Sequence, residues 1–212
     1  MPDDPLPIIH IVEDEEPVRD ALVFRLAVAG MPAQAYESAE AFLAGVHPDA
    51  EGCVVTDLRL PGMDGQQLLE HLAAAGSPLA VIVITGFGDI ASAVRAMQAG
   101  AVDFLEKPIA SAALIQTIQR ALNVRRNEQR LRSETTAAAA RIATLSGRER
   151  DVFDGLVEGK LGKQIAIDLA ISPRTVEVHR AHIMEKLGVR TTSDLIRMGV
   201  LTRLQGGGDR IG

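Results

Sequence analysis
The sequence predicts an α/β fold, a doubly wound five-stranded parallel sheet, joined to a second, all-α domain of four helices. Three observations carry that expectation. Over the first ~120 residues, short apolar runs rich in Val and Ile alternate with stretches of helical periodicity, the pattern of a parallel sheet covered on both faces. Four of those runs deliver polar groups at their carboxyl ends: Glu13-Asp14, Asp57, Thr85 and Glu106-Lys107. Charge divides the chain as well, with residues 1–122 at net −11 and residues 123–212 at net +5. That asymmetry signals two domains with different partners, the basic one a candidate for nucleic acid.

The first domain is expected over 5–122. Residues 8–12 form a strand, and 17–29 a helix in which Val18, Ala21, Leu22 and Leu26 recur at helical spacing before Gly30 stops it. A weak strand at 32–36 precedes Ser38, which suits a cap for a helix over 39–46. Then come the strand ending at Asp57, a helix at 65–75, the strand ending at Thr85, a helix at 89–99, the strand before Lys107, and a helix from Ser111 onward.

Residues 123–141 read as a linker helix. Arg125, Arg126, Arg130 and Arg132 alternate with polar residues, and a joint is expected near 133–136. Val124, Leu131, Ala138 and Leu145 sit seven apart, but the second seam positions are polar, which favours a solvated helix over a coiled coil.

The second domain, expected over 142–205, opens with a capping box, Ser146-Gly147-Arg148-Glu149, heading an apolar-periodic run through Val152, Phe153, Leu156 and Val157. A short helix at 162–169 follows. Ser172-Pro173 then caps and starts a third helix whose inner side is Val176, His179 or Arg180, Ile183 and Leu187; Gly188 ends it, and 192–200 makes a fourth. Two short helices joined by Ala170-Ile171-Ser172 make a helix-turn-helix, whose second helix enters the DNA major groove. The plain alternative is a four-helix bundle without a ligand. Against it stands the outer face of the third helix, where Arg174, Thr175, Glu177, Val178, Ala181 and His182 offer donors, an acceptor and small apolar contacts suited to base edges, while Lys163 and Arg180 can meet phosphates. Glu177 repels phosphate unless it accepts from a cytosine amine, which points to specificity rather than affinity. The tail, 206–212, with its three glycines, is expected to be disordered.

Composition excludes several classes. No apolar run approaches the roughly 20 residues of a membrane span. The acidic start, Met1-Pro2-Asp3-Asp4, is unlike a signal peptide, so a cytoplasmic protein with no membrane partner is expected. The single cysteine, Cys53, reads as a small core residue.

At the shared strand edge, where ligands of open parallel sheets bind, Glu13, Asp14 and Asp57 would repel one another unless a cation sat between them. The oxygen donor set points to Mg²⁺. A carboxylate attacking phosphorus beside such an ion gives an acyl phosphate; Lys107 then offers an ammonium, and Thr85 a hydroxyl, to phosphoryl oxygens.

The motifs Ile-Val-Glu-Asp-Glu-Glu, Val-Thr-Asp-Leu-Arg-Leu-Pro-Gly-Met-Asp-Gly, Val-Ile-Thr-Gly and Asp-Phe-Leu-Glu-Lys-Pro stand in the order and spacing of the receiver domain of two-component response regulators, which residues 5–122 resemble. Leu-Ser-Gly-Arg-Glu-Arg, Lys-Gln-Ile-Ala and Ser-Pro-Arg-Thr-Val-Glu-Val-His-Arg make residues 142–205 similar to LuxR-type DNA-binding domains, and the two together look most like the FixJ subgroup. The resemblance implies a flavodoxin-like receiver with Asp57 as phosphoacceptor. By the same likeness Glu13, Asp14, Asp57 and the Arg59 backbone carbonyl would hold Mg²⁺, Thr85 and Lys107 would bind the phosphoryl group, Phe104 would be a rotating switch aromatic, and the Lys107-Pro108 bond would be cis. It further implies a regulator rather than an enzyme, whose partners are a sensor histidine kinase, promoter DNA, RNA polymerase and a second copy of the chain on phosphorylation.

Glu13 stands where many members have Asp, and Phe87 where close relatives often have His, a place bordering the water that removes the phosphoryl group. Two other classes share parts of this pattern. An aspartyl-nucleophile phosphatase commonly needs a second acid two residues on, where this chain has Arg59. A flavin carrier would need a Ser/Thr/Gly-rich phosphate cradle, which the strand-end loops lack. A receiver that works without a kinase is the subtler rival.

Overall fold
The computed structural model describes residues 6–86 and 90–206. The chain divides into two compact units, Met1–Gln129 and Arg130–Gly212. In the first, β1 (Ile8–Val12), α1 (Glu16–Val28), β2 (Ala33–Tyr36), α2 (Ala39–Gly45), β3 (Gly52–Asp57), α3 (Gly65–Ala74), β4 (Ala80–Thr85), α4 (Ile90–Gln98) and β5 (Asp103–Glu106) are followed by α5 (Ser111–Ala143). The five strands are parallel in the order β2-β1-β3-β4-β5, so the strand order reverses between β1 and β3, at the residues that end in Glu13 and Asp57.

Alternation along the strands sorts the core into two layers. Ile9, Ile11, Val55, Ile82 and Ile84 face Leu22 and Leu26 of α1 and Leu114, Ile118 and Ala121 of α5. Val12, Val54, Val81 and Val83 face Phe42 of α2, Leu68, Leu69 and Leu72 of α3 and Ala96 of α4. Both faces of β3 and β4 are covered and every residue in them is buried, which is why these two strands read as unbroken apolar runs. A wholly buried Ile or Leu side chain contributes roughly 2 kcal/mol. His10 shares the second layer, against Tyr36 and Phe42, and burial lowers its pKa.

The second unit holds the end of α5 together with α6 (Gly147–Val157), α7 (Gly162–Asp168), α8 (Pro173–Leu187) and α9 (Thr192–Gly206). Its core is Ile142, Val152, Phe153, Leu156, Ile165, Ala166, Val176, Ile183, Leu187 and Leu195. The expected capping box is present: Ser146 Oγ accepts from the Glu149 amide and Glu149 Oε2 from the Ser146 amide. Glu149 is buried and also bonds Lys186 Nζ at 2.7 Å. Chiefly that lysine, aided by Ser146, holds its carboxyl down at about 2.

Two expectations need correction. The joint near 133–136 does not exist, because α5 runs unbroken from Ser111 to Ala143; Thr135, within that stretch, turns its hydroxyl onto the Leu131 carbonyl one turn back. Nor is the linker wholly solvated, since Thr135 and Ala138 are buried. Of the tail, Gly206 closes α9, and 207–212 lie outside the described residues. Among the described residues no helix is long and apolar enough to cross a membrane.

Candidate functional site
Three strand ends build the site. Glu13 follows β1 and is fully buried, Asp57 ends β3 and is 8% exposed, and Lys107 follows β5. The Lys107 Nζ lies 3.1 Å from Glu13 Oε2 and 2.5 Å from Asp57 Oδ2. Burial alone would lower the Lys107 pKa, but its hydrogen bonds and charge pairing with Asp57 and Glu13 outweigh it and raise the pKa. Burial also pushes the Glu13 carboxyl up, against the pull of Lys107. The other Asp57 oxygen, Oδ1, accepts from the Arg59 amide at 2.9 Å, so one oxygen is fixed by the loop and the other faces the lysine. Gly65 lets the start of α3 approach this strand end: a Cβ there would lie 2.1 Å from the Asp57 carbonyl oxygen. The Lys107-Pro108 peptide is cis, as the resemblance implies.

Thr85 is buried at the end of β4, beside Asp57's strand, with its hydroxyl on the Gly86 carbonyl at 2.9 Å. Phe104, on β5, is 45% exposed. Asp14 is exposed, and among the described residues no three His, Cys, Asp or Glu side chains cluster closely enough to hold a metal by themselves. Phe87 lies outside the described residues. Sequence reasoning missed Arg19 and Arg25 among the residues that hold the site's loops. Arg19 donates to the carbonyls of Glu13 and Asp14 at 2.8 and 3.2 Å, and Arg25 to that of Ile109 at 2.7 Å.

In the second unit α7 and α8 form the helix-turn-helix. Ala170 adopts a left-handed φ of 54° in the turn. Ser172 caps α8 by accepting from the Thr175 amide, Pro173 takes the first turn, and Gly188 closes the helix at φ 65°. Val176, Ile183 and Leu187 are buried, leaving Arg174, Glu177, Val178, Ala181 and His182 outward and exposed, as is Lys163 on α7. Thr175 and Arg180 are half-buried: the Thr175 hydroxyl bonds that of Ser172 at 2.8 Å, and Arg180 pairs with Glu177 at 3.4 Å.

The response regulator receiver family matches residues 9–119, and the luxR family of bacterial regulatory proteins matches residues 143–199. Transcriptional regulatory protein FixJ of Azorhizobium caulinodans is 45% identical over 193 residues, 91% of this chain and 92% of that protein. FixJ of Rhizobium meliloti is 46% identical over 192 residues, 91% and 94% of the two. The chain belongs to the FixJ-type response regulators. Among solved structures, response regulator StyR aligns with a TM-score of 0.74 at 36% identity, covering 92% of this chain and 98% of that one. Full-length FixJ from B. japonicum aligns at 0.58 and 39%, covering 93% and 98%. As a FixJ-type regulator the chain couples a receiver to a LuxR-type DNA-binding domain, the architecture of transcription regulation that depends on phosphorylation.

Proposed function
We propose that Asp57 accepts a phosphoryl group from a phosphohistidine of a sensor kinase and that the phosphorylated chain dimerises and binds promoter DNA, in the cytoplasm, where RNA polymerase reads the outcome. The convergence of Asp57, Glu13 and Lys107 at the switch point of the sheet carries this reading. In the transfer, an Asp57 carboxylate oxygen attacks phosphorus, the donor's P–N bond breaks, and the released imidazole takes a proton from solvent. Lys107 already sits on that carboxylate and follows the new charge onto a phosphoryl oxygen. Thr85 rotates its hydroxyl off the Gly86 carbonyl to donate to another, and Phe104, exposed in this structure, turns inward behind it.

The residues present fit Mg²⁺: the donors are all oxygens, Glu13 and Asp57 already share one cation, and an ion that keeps several waters needs only one or two carboxylates. Glu13, Asp57 and the Arg59 carbonyl would hold it, with Asp14 acting from the exposed side. When bound, it supplies the positive charge that lets a carboxylate and a phosphoryl anion meet.

On the DNA side, Arg174, Val178, Ala181 and His182 take base edges, Lys163 and Arg180 take phosphates, Thr175 holds the start of α8, and Glu177 selects the base. The test is promoter binding and sedimentation with and without acetyl phosphate and Mg²⁺. Phosphorylation should tighten DNA binding and produce a dimer; DNA affinity indifferent to phosphorylation would overturn the reading.

A further inference from the structure
We propose that Glu40 is a positioning residue for the phosphoryl-accepting site: its carboxylate reaches across from α2 and fixes the loop that follows Asp57. The inference rests on the reading of Asp57 as acceptor and assigns a role to a side chain that the family motifs pass over. Glu40 Oε1 accepts from the Met63 amide at 2.8 Å, a bond between residues 23 apart. Gly62 beside it has φ +75°, and a Cβ there would lie 2.6 Å from the same oxygen, so the loop leaves the space that the carboxylate enters.

Both ends of this tie are anchored. Glu40 lies in the first turn of α2, directly after the Ser38 cap, whose hydroxyl accepts from the Ala41 amide. Buried Ala39 and Phe42 lock that helix to the sheet. On the loop side, Met63 packs against the core, the Gly65 amide donates to the Leu58 carbonyl, and the Arg59 amide donates to Asp57 Oδ1. The Glu40 bond therefore holds the tip of a loop whose base sets both the orientation of Asp57 and the place of the Arg59 carbonyl. Freed at the tip, the loop keeps its fold but lets these two groups drift. A displacement of about 1 Å costs up to ~100-fold in rate; a loop still held at its base should lose roughly 10-fold.

The test uses the full chain, acetyl phosphate as donor and Mg²⁺, with the phosphorylated fraction read by intact mass. Glu40→Ala should label roughly 10-fold more slowly and need more Mg²⁺ for half-maximal rate. Glu40→Gln keeps an acceptor oxygen and should stay within about 2-fold of the parent. Hydrogen exchange at the Met63 amide gives a readout independent of phosphorylation: faster in the Ala variant, unchanged in the Gln variant. Glu40 is exposed, so both variants should fold, and melting temperatures measured alongside separate lost stability from lost positioning. Labelling of Glu40→Ala at the parent rate, or equal slowing of the Ala and Gln variants, overturns the role. Asp57→Asn keeps the two readings apart: label on that variant removes the acceptor assignment, whereas its loss there with Glu40→Ala unaffected removes only the role of Glu40.

Discussion
Replacing Lys107 with Met isolates the electrostatics of the site. The ammonium bridges Glu13, which has no exposure to solvent, and Asp57. Without it two carboxylates face each other, one of them wholly buried. Breaking a fully buried ion pair costs ~3–5 kcal/mol, but the Lys107 side chain is 29% exposed, so water reaches one side. The loss at pH 7.5 should be nearer 2 kcal/mol, a shift of about 1 M in a urea midpoint. The pH dependence has a definite sign. Burial raises the Glu13 pKa in the folded chain, and removing Lys107 takes away the main opposing pull. The folded state then holds a proton that the unfolded state has released. Stability falls as pH rises from the ordinary glutamate value through the raised folded one, and is regained as pH falls back. The deficit of Lys107→Met should shrink at pH 5. Comparing variant and parent at each pH cancels the separate titration of His10. Tyr36 is the single tyrosine in a chain without tryptophan and packs in the receiver core, so its fluorescence follows this unit alone. A variant as stable as the parent at pH 7.5, or a deficit unchanged at pH 5, would refute this account.

Two further outcomes concern the DNA-binding unit. Glu149→Ala should cost about 1 kcal/mol at neutral pH through the lost capping box and the lost bond to Lys186. The parent's advantage should vanish as pH falls from the ordinary glutamate value towards about 2, because a carboxyl held low in the folded state stabilises only while ionised; thermal melts across that range check it. A fragment beginning at Arg130 should melt higher than one beginning at residue 142, because the shorter piece drops buried Thr135 and Ala138. Both should bind promoter DNA with affinity falling steeply with salt; a fragment pair of equal stability would show that the end of α5 adds nothing.

The sheet was legible because its central strands are buried on both faces and therefore spelled as short Val/Ile runs, and the site because three of those runs end in Glu13, Asp57 and Lys107. The second unit was legible through caps, since Ser146 with Glu149, Ser172 with Pro173 and the stop at Gly188 are local chemistry. The continuity of α5 was hidden. Ser133 to Thr136 spell a joint by propensity, yet Thr135 satisfies its hydroxyl within the helix and the neighbouring alanines extend it. Arg19, Arg25 and Glu40 escaped for another reason: each holds a backbone carbonyl or amide, Arg19 in the loop just before its own helix and the other two in loops farther along the chain. Every residue carries such groups, so the partner leaves no mark in the sequence.

The most direct measurement is where a phosphoryl group lands. Incubation with acetyl phosphate and Mg²⁺, followed by mass mapping of the acyl phosphate, should place one phosphoryl group on the peptide carrying Asp57 and none on Asp57→Asn, whose amide keeps the size of the side chain but lacks its nucleophilicity. Undiminished labelling of Asp57→Asn, or a phosphoryl group on a peptide other than the one carrying Asp57, would contradict the account.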